Sequence, residues 1–363
     1  MTTTDLKKEF FKKDEKTNKP YIIAGPCSAE TEEQVFETVE RLSKQKVDAI
    51  RAGIWKPRTR PNNFEGIGSI GLKWLTEAGK KYNLPVTTEV ANGKHVYECL
   101  KFGVDIIWIG ARTTVNPFSV QEIADALQGV DVPVMIKNPI NPDLELWLGA
   151  IERIQKAGIT RIAAIHRGFS SYEKSKYRNQ PYWELPIELK RRHPEIPLIC
   201  DPSHICGKRD MIQAVSQKAL DLNFDGLLIE THRDPENAWS DAAQQVTPER
   251  LGEIIEHLIL RKVTTNDPEF NSHLDDLRAK IDRVDDEIID ILAHRMDVVK
   301  EIGRYKRDNQ ITIFQPSRWD DILKRNTERG NKKGLSEKFI NKLLEAVHQE
   351  SITQQTSVMN GEE

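Results

Sequence analysis

Two hydrophobic rhythms run along this chain. Through residue 262, eight short apolar runs recur: YIIAGPCS, AIRAGIWKPRTR, VTTEV, IIWIGAR, VMIKN, IAAIHRG, LICDPSH and LLIETH. Each has the length of a buried strand, and amphipathic stretches of helical length separate most of them. Strand and helix alternating eight times predict an α/β fold, a (β/α)8 barrel over 20–262, behind a polar leader at 1–19. From Leu274 the period changes. Leu274, Leu277, Ile281, Val284, Ile288 and Ile291 step by three and four, and the stripe continues through Val298 and Ile302 to about Arg307. Pro316 predicts a second helix over 317–329, Gly330 and Gly334 a break, and Ser336-Glu337 the opening of a third helix that ends near Gln355. The second rhythm is thus a small all-α domain of three helices at 274–355. Lost periodicity and Asp267-Pro268 place a linker at 263–273, and 356–363 is expected to be a disordered tail.

The long stripe has a consequence for assembly. A helix over 274–307 is roughly 50 Å long at about 1.5 Å per residue. Three helices in so short a segment cannot bury it, so an intertwined homodimer through this domain is expected. Composition narrows the setting. A net charge of −3 gives no reason to expect nucleic acid or an acidic membrane surface as partner. No apolar run is long enough to span a membrane, and the charged N-terminus is no signal peptide, so the chain reads as cytoplasmic. Four cysteines then read as thiols or metal ligands rather than disulfides.

The strand ends carry the chemistry: Cys27, Arg51, Lys56, Glu89, Arg112, Lys137, Arg167, His204 and Glu230. A lone arginine or lysine there is most often a surface charge. Strand ends of a barrel converge on one mouth, however, and clustered cations are costly unless an anion occupies them. Arg51, Lys56, Arg112, Lys137 and Arg167 therefore predict a substrate with more than one anionic group. Cys27, His204 and Glu230 close the contiguous strands 1, 7 and 8, and Asp241 follows in the next loop. Each alone is compatible with ordinary packing. Together they form a mixed soft and hard donor set that favours a divalent transition metal (Mn, Fe, Co or Zn) over magnesium.

These motifs resemble a known family. AGPCS, RAG-x-x-KPRT, IGAR, IK, HRG, DPSH and IE-x-H are similar to those of the 3-deoxy-D-arabino-heptulosonate 7-phosphate (DAHP) synthases, in the subtype related to 3-deoxy-octulosonate 8-phosphate (KDO8P) synthase. The resemblance implies a metal-dependent, aldol-like condensation of phosphoenolpyruvate with erythrose 4-phosphate in the shikimate pathway. It implies Cys27, His204, Glu230 and Asp241 as metal ligands. Phosphoenolpyruvate would lie against Arg51, Lys56, Arg112, Lys137 and Arg167, and the aldose phosphate against Arg58 and Thr59, with Asp234 near metal or substrate. Lys56 would donate a proton to the developing alkoxide, and either a metal-bound hydroxide or a positioned carboxylate such as Glu89 would assist the water that adds at carbon 2. Arg60 departs from the small hydroxyl residue of many relatives. KPRT at 56–59 argues against the KDO8P synthase activity itself.

The segment LRAKIDRVDDEIIDILAHRMDVVKEIGRYK resembles the first helix of the all-helical chorismate mutases, which rearrange chorismate to prephenate. The resemblance implies Arg278, Arg295 and Arg318 on the two carboxylates, Lys306 and Gln355 as donors to the ether oxygen, and Ser351 in the site. Spacing adds to this. Arg295 and Lys306 are about three helical turns apart, and Ser351 and Gln355 form an i, i+4 pair. Arg278 lies roughly 25 Å from Arg295 along the axis, so it must serve the partner chain's site. Trp319 stands where well-known members carry a glutamate that meets the substrate hydroxyl, and Gln315 also replaces an acid. Because the two reactions are not consecutive, the helical domain is expected to mediate feedback inhibition of the synthase by prephenate or chorismate. The rival reading makes it a non-catalytic sensing and dimerisation module.

Overall fold

The computed structural model describes residues 19–56, 64–172 and 175–362. Of the expected leader only Lys19 falls within them. Eight parallel strands close a barrel in chain order. They are β1 (Tyr21–Gly25), β2 (Ala49–Arg51), β3 (Val86–Val90) and β4 (Ile106–Ile109), followed by β5 (Val134–Lys137), β6 (Ile162–His166), β7 (Leu198–Cys200) and β8 (Gly226–Glu230). The closing pair, β1 with β8, sets Gly25 opposite Glu230.

Side chains alternate between two layers, as a period of two requires. Ile23, Ala49, Trp108, Met135, Ile165, Ile199 and Leu228 form one buried cluster, the filling of the barrel. Residues of opposite parity, such as Ala24, Ile50, Ile107, Ile136 and Leu227, join the larger cluster beneath the helices. The same parity sets the mouth. Two residues beyond Ala49 comes Arg51, beyond Met135 Lys137, beyond Ile165 Arg167, beyond Ile199 Asp201, and beyond Leu228 Glu230. The first turn needs a glycine: Gly25 has φ +149°, and a Cβ there would lie 2.0 Å from the Arg51 carbonyl oxygen.

The chain divides into two compact units between Val263 and Thr264. The second holds helices at Pro268–Asp308, Pro316–Lys332 and Glu337–Asn360. The expected linker is a helix from Pro268 onward. Asp267 Oδ1 accepts from the backbone N–H groups of Glu269 and Phe270 at 3.0 and 3.3 Å, so Asp-Pro is here a cap followed by a first-turn proline rather than a breaker. The second helix runs through Gly330, which packs on Ile340 of the third. The expected disordered tail is helical to Asn360, where Gly361 (φ +72°) ends the helix.

Gly303 is buried on the long helix, and a Cβ there would touch Gln355 and Val358 of the third helix. Val299 is buried beside it, but the N-terminal half of the stripe is bare. Ile281, Val284, Ile288 and Ile291 are exposed, Ile291 to 67%. Among the described residues no helix is long and apolar enough to cross a membrane.

Candidate active sites

Three of the expected ligand donors meet at the barrel mouth. One donor atom each from Cys27, Glu230 and Asp241 lies within 4.8 Å of the others. Cys27 Sγ is 3.3 Å from Asp241 Oδ2. Glu230 is fully buried, and its Oε1 makes no hydrogen bond among the described residues, although Arg51 Nη1 stands 3.1 Å away. His204 is beside this trio rather than in it: Nε2 lies 3.8 Å from Glu230 Oε1. It sits on the short helix Pro202–Cys206, one turn past β7.

The donor chemistry fits a divalent cation. Burial pushes the Cys27 thiol up to about 12, with Glu230 adding to the shift. A bound cation is what would make it the thiolate that ligates. A positive charge already touches the sulfur, since Lys56 Nζ lies 2.8 Å from Sγ and 3.2 Å from the Cys27 carbonyl oxygen. Burial opposes the Lys56 ammonium, but Cys27 and Glu230 outweigh it and hold its pKa raised. Burial likewise opposes the Asp241 carboxylate, and Lys56, His204 and Arg178 overcome it, leaving its pKa lowered.

Across the mouth the cations surround one ring. Trp108 is fully buried, with the Arg51 guanidinium 4.9 Å and Lys137 Nζ 5.7 Å from its centroid. Its Nε1 donates to Glu89 Oε2 at 3.0 Å. The expected uncompensated cluster is partly compensated from within. Arg51 pairs with Glu230, and Lys137 Nζ donates to Asp201 Oδ2 at 2.8 Å. Among the described residues Arg167 has no such partner at bonding distance: its Nη1 donates to the neutral Asn179 Oδ1 at 2.7 Å. Burial, against the pull of Asp201 and with the push of Arg178 and Arg112, lowers its pKa to about 10. Arg112 itself is exposed. Among the described residues neither Arg167 nor Arg112 has a carboxylate at bonding distance, and the charge on Arg112 disfavours that on Arg167. Arg58, Thr59 and Arg60 lie outside the described residues. Asp234 is exposed and accepts from Asn237 Nδ2 at 2.7 Å.

Four residues of this site escaped the sequence reading. Asp201 is buried, with His204 Nδ1 and Lys137 Nζ each 2.8 Å from its Oδ2. Its place two residues beyond inward-facing Ile199 was the available signal. Asn179 donates to the His204 carbonyl oxygen at 2.6 Å while it accepts from Arg167. Arg178 Nη1 donates to Asp241 Oδ1 at 2.9 Å and to Gln244 Oε1 at 2.7 Å, and Gln244 Nε2 donates to Glu230 Oε2 at 2.6 Å. Arg178 and Asn179 lie in a connection between elements and Gln244 closes the three-residue 3-10 helix Ala242–Gln244, too short for periodicity to mark a face.

In the helical unit, Arg295 Nη1 donates to Ser351 Oγ at 2.7 Å, joining the long and third helices. Gln355 is buried one turn on, its Oε1 without a hydrogen-bond partner among the described residues. Lys306 Nζ donates to the Ile313 carbonyl oxygen at 2.6 Å. Burial lowers the pKa of both Arg295 and Lys306. Arg318 is exposed on the second helix. Arg278 does not join this group: it is exposed and pairs with Asp275 at 3.2 Å.

Comparison with known proteins divides the chain in the same way. Residues 11–265 match the model of the DAHP synthetase I family, and residues 277–356 that of chorismate mutase type II. A phospho-2-dehydro-3-deoxyheptonate aldolase of Thermotoga maritima is 35% identical over 237 residues, 65% of this chain and 68% of the relative. A 2-dehydro-3-deoxyphosphooctonate aldolase of Legionella pneumophila is 26% identical over 259 residues, covering 66% and 90%. The crystal structure of the phospho-2-dehydro-3-deoxyheptonate aldolase (DAHP synthase) of Thermotoga maritima superposes with a TM-score of 0.60 at 32% identity, covering 67% of this chain and 68% of that one.

Proposed function

The chain belongs to the DAHP synthetase I family and carries a C-terminal chorismate mutase type II domain, and from this we propose that its barrel condenses phosphoenolpyruvate with erythrose 4-phosphate while its helical unit rearranges chorismate to prephenate. The observation that carries the synthase reading is the convergence of Cys27, Glu230 and Asp241 beside Lys56 and Arg51, with Lys137 and Arg167 around the same mouth. Cys27, Glu230 and Asp241 would hold a divalent transition metal, with His204 drawn in from the side. Such a metal supplies a Lewis acid for the aldehyde carbonyl.

The chain's own residues do the rest. Arg51 and Lys137, held over Trp108, take the phosphoenolpyruvate carboxylate, and Arg167 and Arg112 take its phosphate. Carbon 3 of phosphoenolpyruvate forms the new bond to the aldehyde carbon. Lys56 Nζ, inside the site and protonated, gives its proton to the alkoxide that results. Water adds at carbon 2 with Glu89 nearby to accept its proton, and inorganic phosphate leaves. In the helical unit Arg295 and Arg318 hold the substrate's carboxylates in a compact conformer, and Lys306 and Gln355 donate to the ether oxygen as it becomes negative. The bare stripe on the long helix and the remoteness of Arg278 support a dimer in which Arg278 completes the neighbouring site. The mutase unit, as ligand sensor, accounts for the fusion of two non-consecutive steps.

The deciding experiment assays both reactions on one preparation, with and without EDTA, offering erythrose 4-phosphate and arabinose 5-phosphate in turn. Expected is phosphoenolpyruvate consumption with erythrose 4-phosphate that EDTA abolishes, beside chorismate loss that EDTA leaves alone. Preference for arabinose 5-phosphate refutes the synthase reading, and stable chorismate refutes the mutase reading.

A further inference from the structure

Chorismate has four polar features: two carboxylates, the ether oxygen of its enolpyruvyl bridge, and one ring hydroxyl. The arginines take the first two and Lys306 with Gln355 the third, which leaves the hydroxyl without an assigned partner. Trp319 has no group able to accept from it.

Trp319 is nevertheless engaged. Its ring stacks on the imidazole of His348, with centroids 4.1 Å apart and planes 17° from parallel. Phe314 flanks the same imidazole at 6.0 Å. His348 precedes Ser351 by three residues and Gln355 by seven on the third helix, so the three share a face. The Nε2 of His348 is hidden from solvent and has no hydrogen-bond partner among the described residues. A hidden, unpaired nitrogen in a native fold calls for a cause, and a ligand is one. Gln355 Oε1, on the same face, is unpaired in the same way. Burial, then the charge of Arg295, lowers the His348 pKa. The ring is therefore neutral, with one nitrogen that accepts and one that donates.

We propose that His348 Nε2 binds the ring hydroxyl of chorismate, with the stack on Trp319 fixing the imidazole plane. The proposal rests on the mutase reading above and deepens it, making His348 a substrate-contacting residue of this chain.

The test compares chorismate with its analogue lacking the ring hydroxyl, in the full-length protein and in His348→Phe, which keeps an aromatic face for Trp319. In the wild type, removing the hydroxyl should lower kcat/KM about 10- to 100-fold. His348→Phe should lose about as much on chorismate and change less than about threefold on the analogue. Equal losses on both substrates, or none on either, overturn the proposal and leave the mutase reading standing. Absence of chorismate turnover in the wild type overturns both. A second measurement needs no variant. The 15N resonance of His348 Nε2 should move on saturation with prephenate, and a resonance that stays put on binding likewise refutes the contact.

Discussion

His204 Nδ1 lies 2.8 Å from Asp201 Oδ2, both side chains beneath the barrel mouth, so the imidazole is turned with its Nε2 toward Glu230. A carboxylate behind a histidine fixes which ring nitrogen faces a cation, and loss of such a partner typically costs about 10- to 100-fold in metal affinity or activity. The same carboxylate neutralises buried Lys137. Asp201→Asn should lower metal affinity by about that factor. It should also destabilise the barrel by about 3–5 kcal/mol, because it leaves a buried ammonium unpaired. Metal content after equilibrium dialysis and thermal melting read the two effects separately. Unchanged metal affinity would remove Asp201 from the site.

His166 predicts a pH dependence of stability. It is buried among Phe169, Trp183 and Phe224, with the Pro181 backbone as a polar neighbour of the ring. Burial, with Arg167 adding to it, drives its pKa down to about 3. Between the usual histidine value of about 6.5 and about 3, the unfolded chain binds a proton that the folded chain refuses. Stability should therefore fall as pH drops through that window, with a slope approaching about 1.4 kcal/mol per pH unit from this residue. His166→Phe suits the aromatic surroundings and should flatten that part of the profile. Urea melts of both proteins from pH 7 to pH 4 give the comparison, and parallel profiles would contradict the assignment.

Arg278 predicts complementation between subunits. Arg278→Ala and Arg295→Ala should each abolish mutase turnover alone. If each site takes Arg295 from one chain and Arg278 from the other, a mixed dimer carries one intact site in two. Unfolding the two variants together and refolding them as an equimolar mixture should restore about a quarter of wild-type activity, because about half the dimers are mixed. No recovery would mean that one chain supplies both arginines.

Feedback should pass through the helical unit. Prephenate or chorismate should slow phosphoenolpyruvate consumption by the full-length chain, and truncation after residue 262 should remove the inhibition while leaving a folded barrel. The inhibitor must bind the two states of the enzyme with different affinity for this to occur. A flat response of the full-length protein to both compounds would end the idea.

The barrel and the helical domain were both legible along the chain, because periods of two and of about 3.6 are properties of local backbone geometry. Arg51, Lys137, Arg167 and Glu230 were legible for the same reason, each extending an inward-facing row by one step. Asp201 belongs to such a row and was overlooked for the histidine three residues on. The Asp267-Pro268 pair was misread because the same two residues stop one segment and cap the next, and only the chain that follows distinguishes the cases.

What the chain order could not specify was partnership. That Arg51 pairs with Glu230 rather than facing an empty mouth, that Arg178 and Gln244 hold Asp241 and Glu230, and that Trp319 stacks on His348 all depend on loops and faces brought together across many residues. Strand periodicity orients a side chain toward a surface. Which charge or ring it meets there is decided by closure of the barrel and by packing of the helices, since electrostatic and aromatic contacts act over a few ångströms of space and are indifferent to separation along the chain.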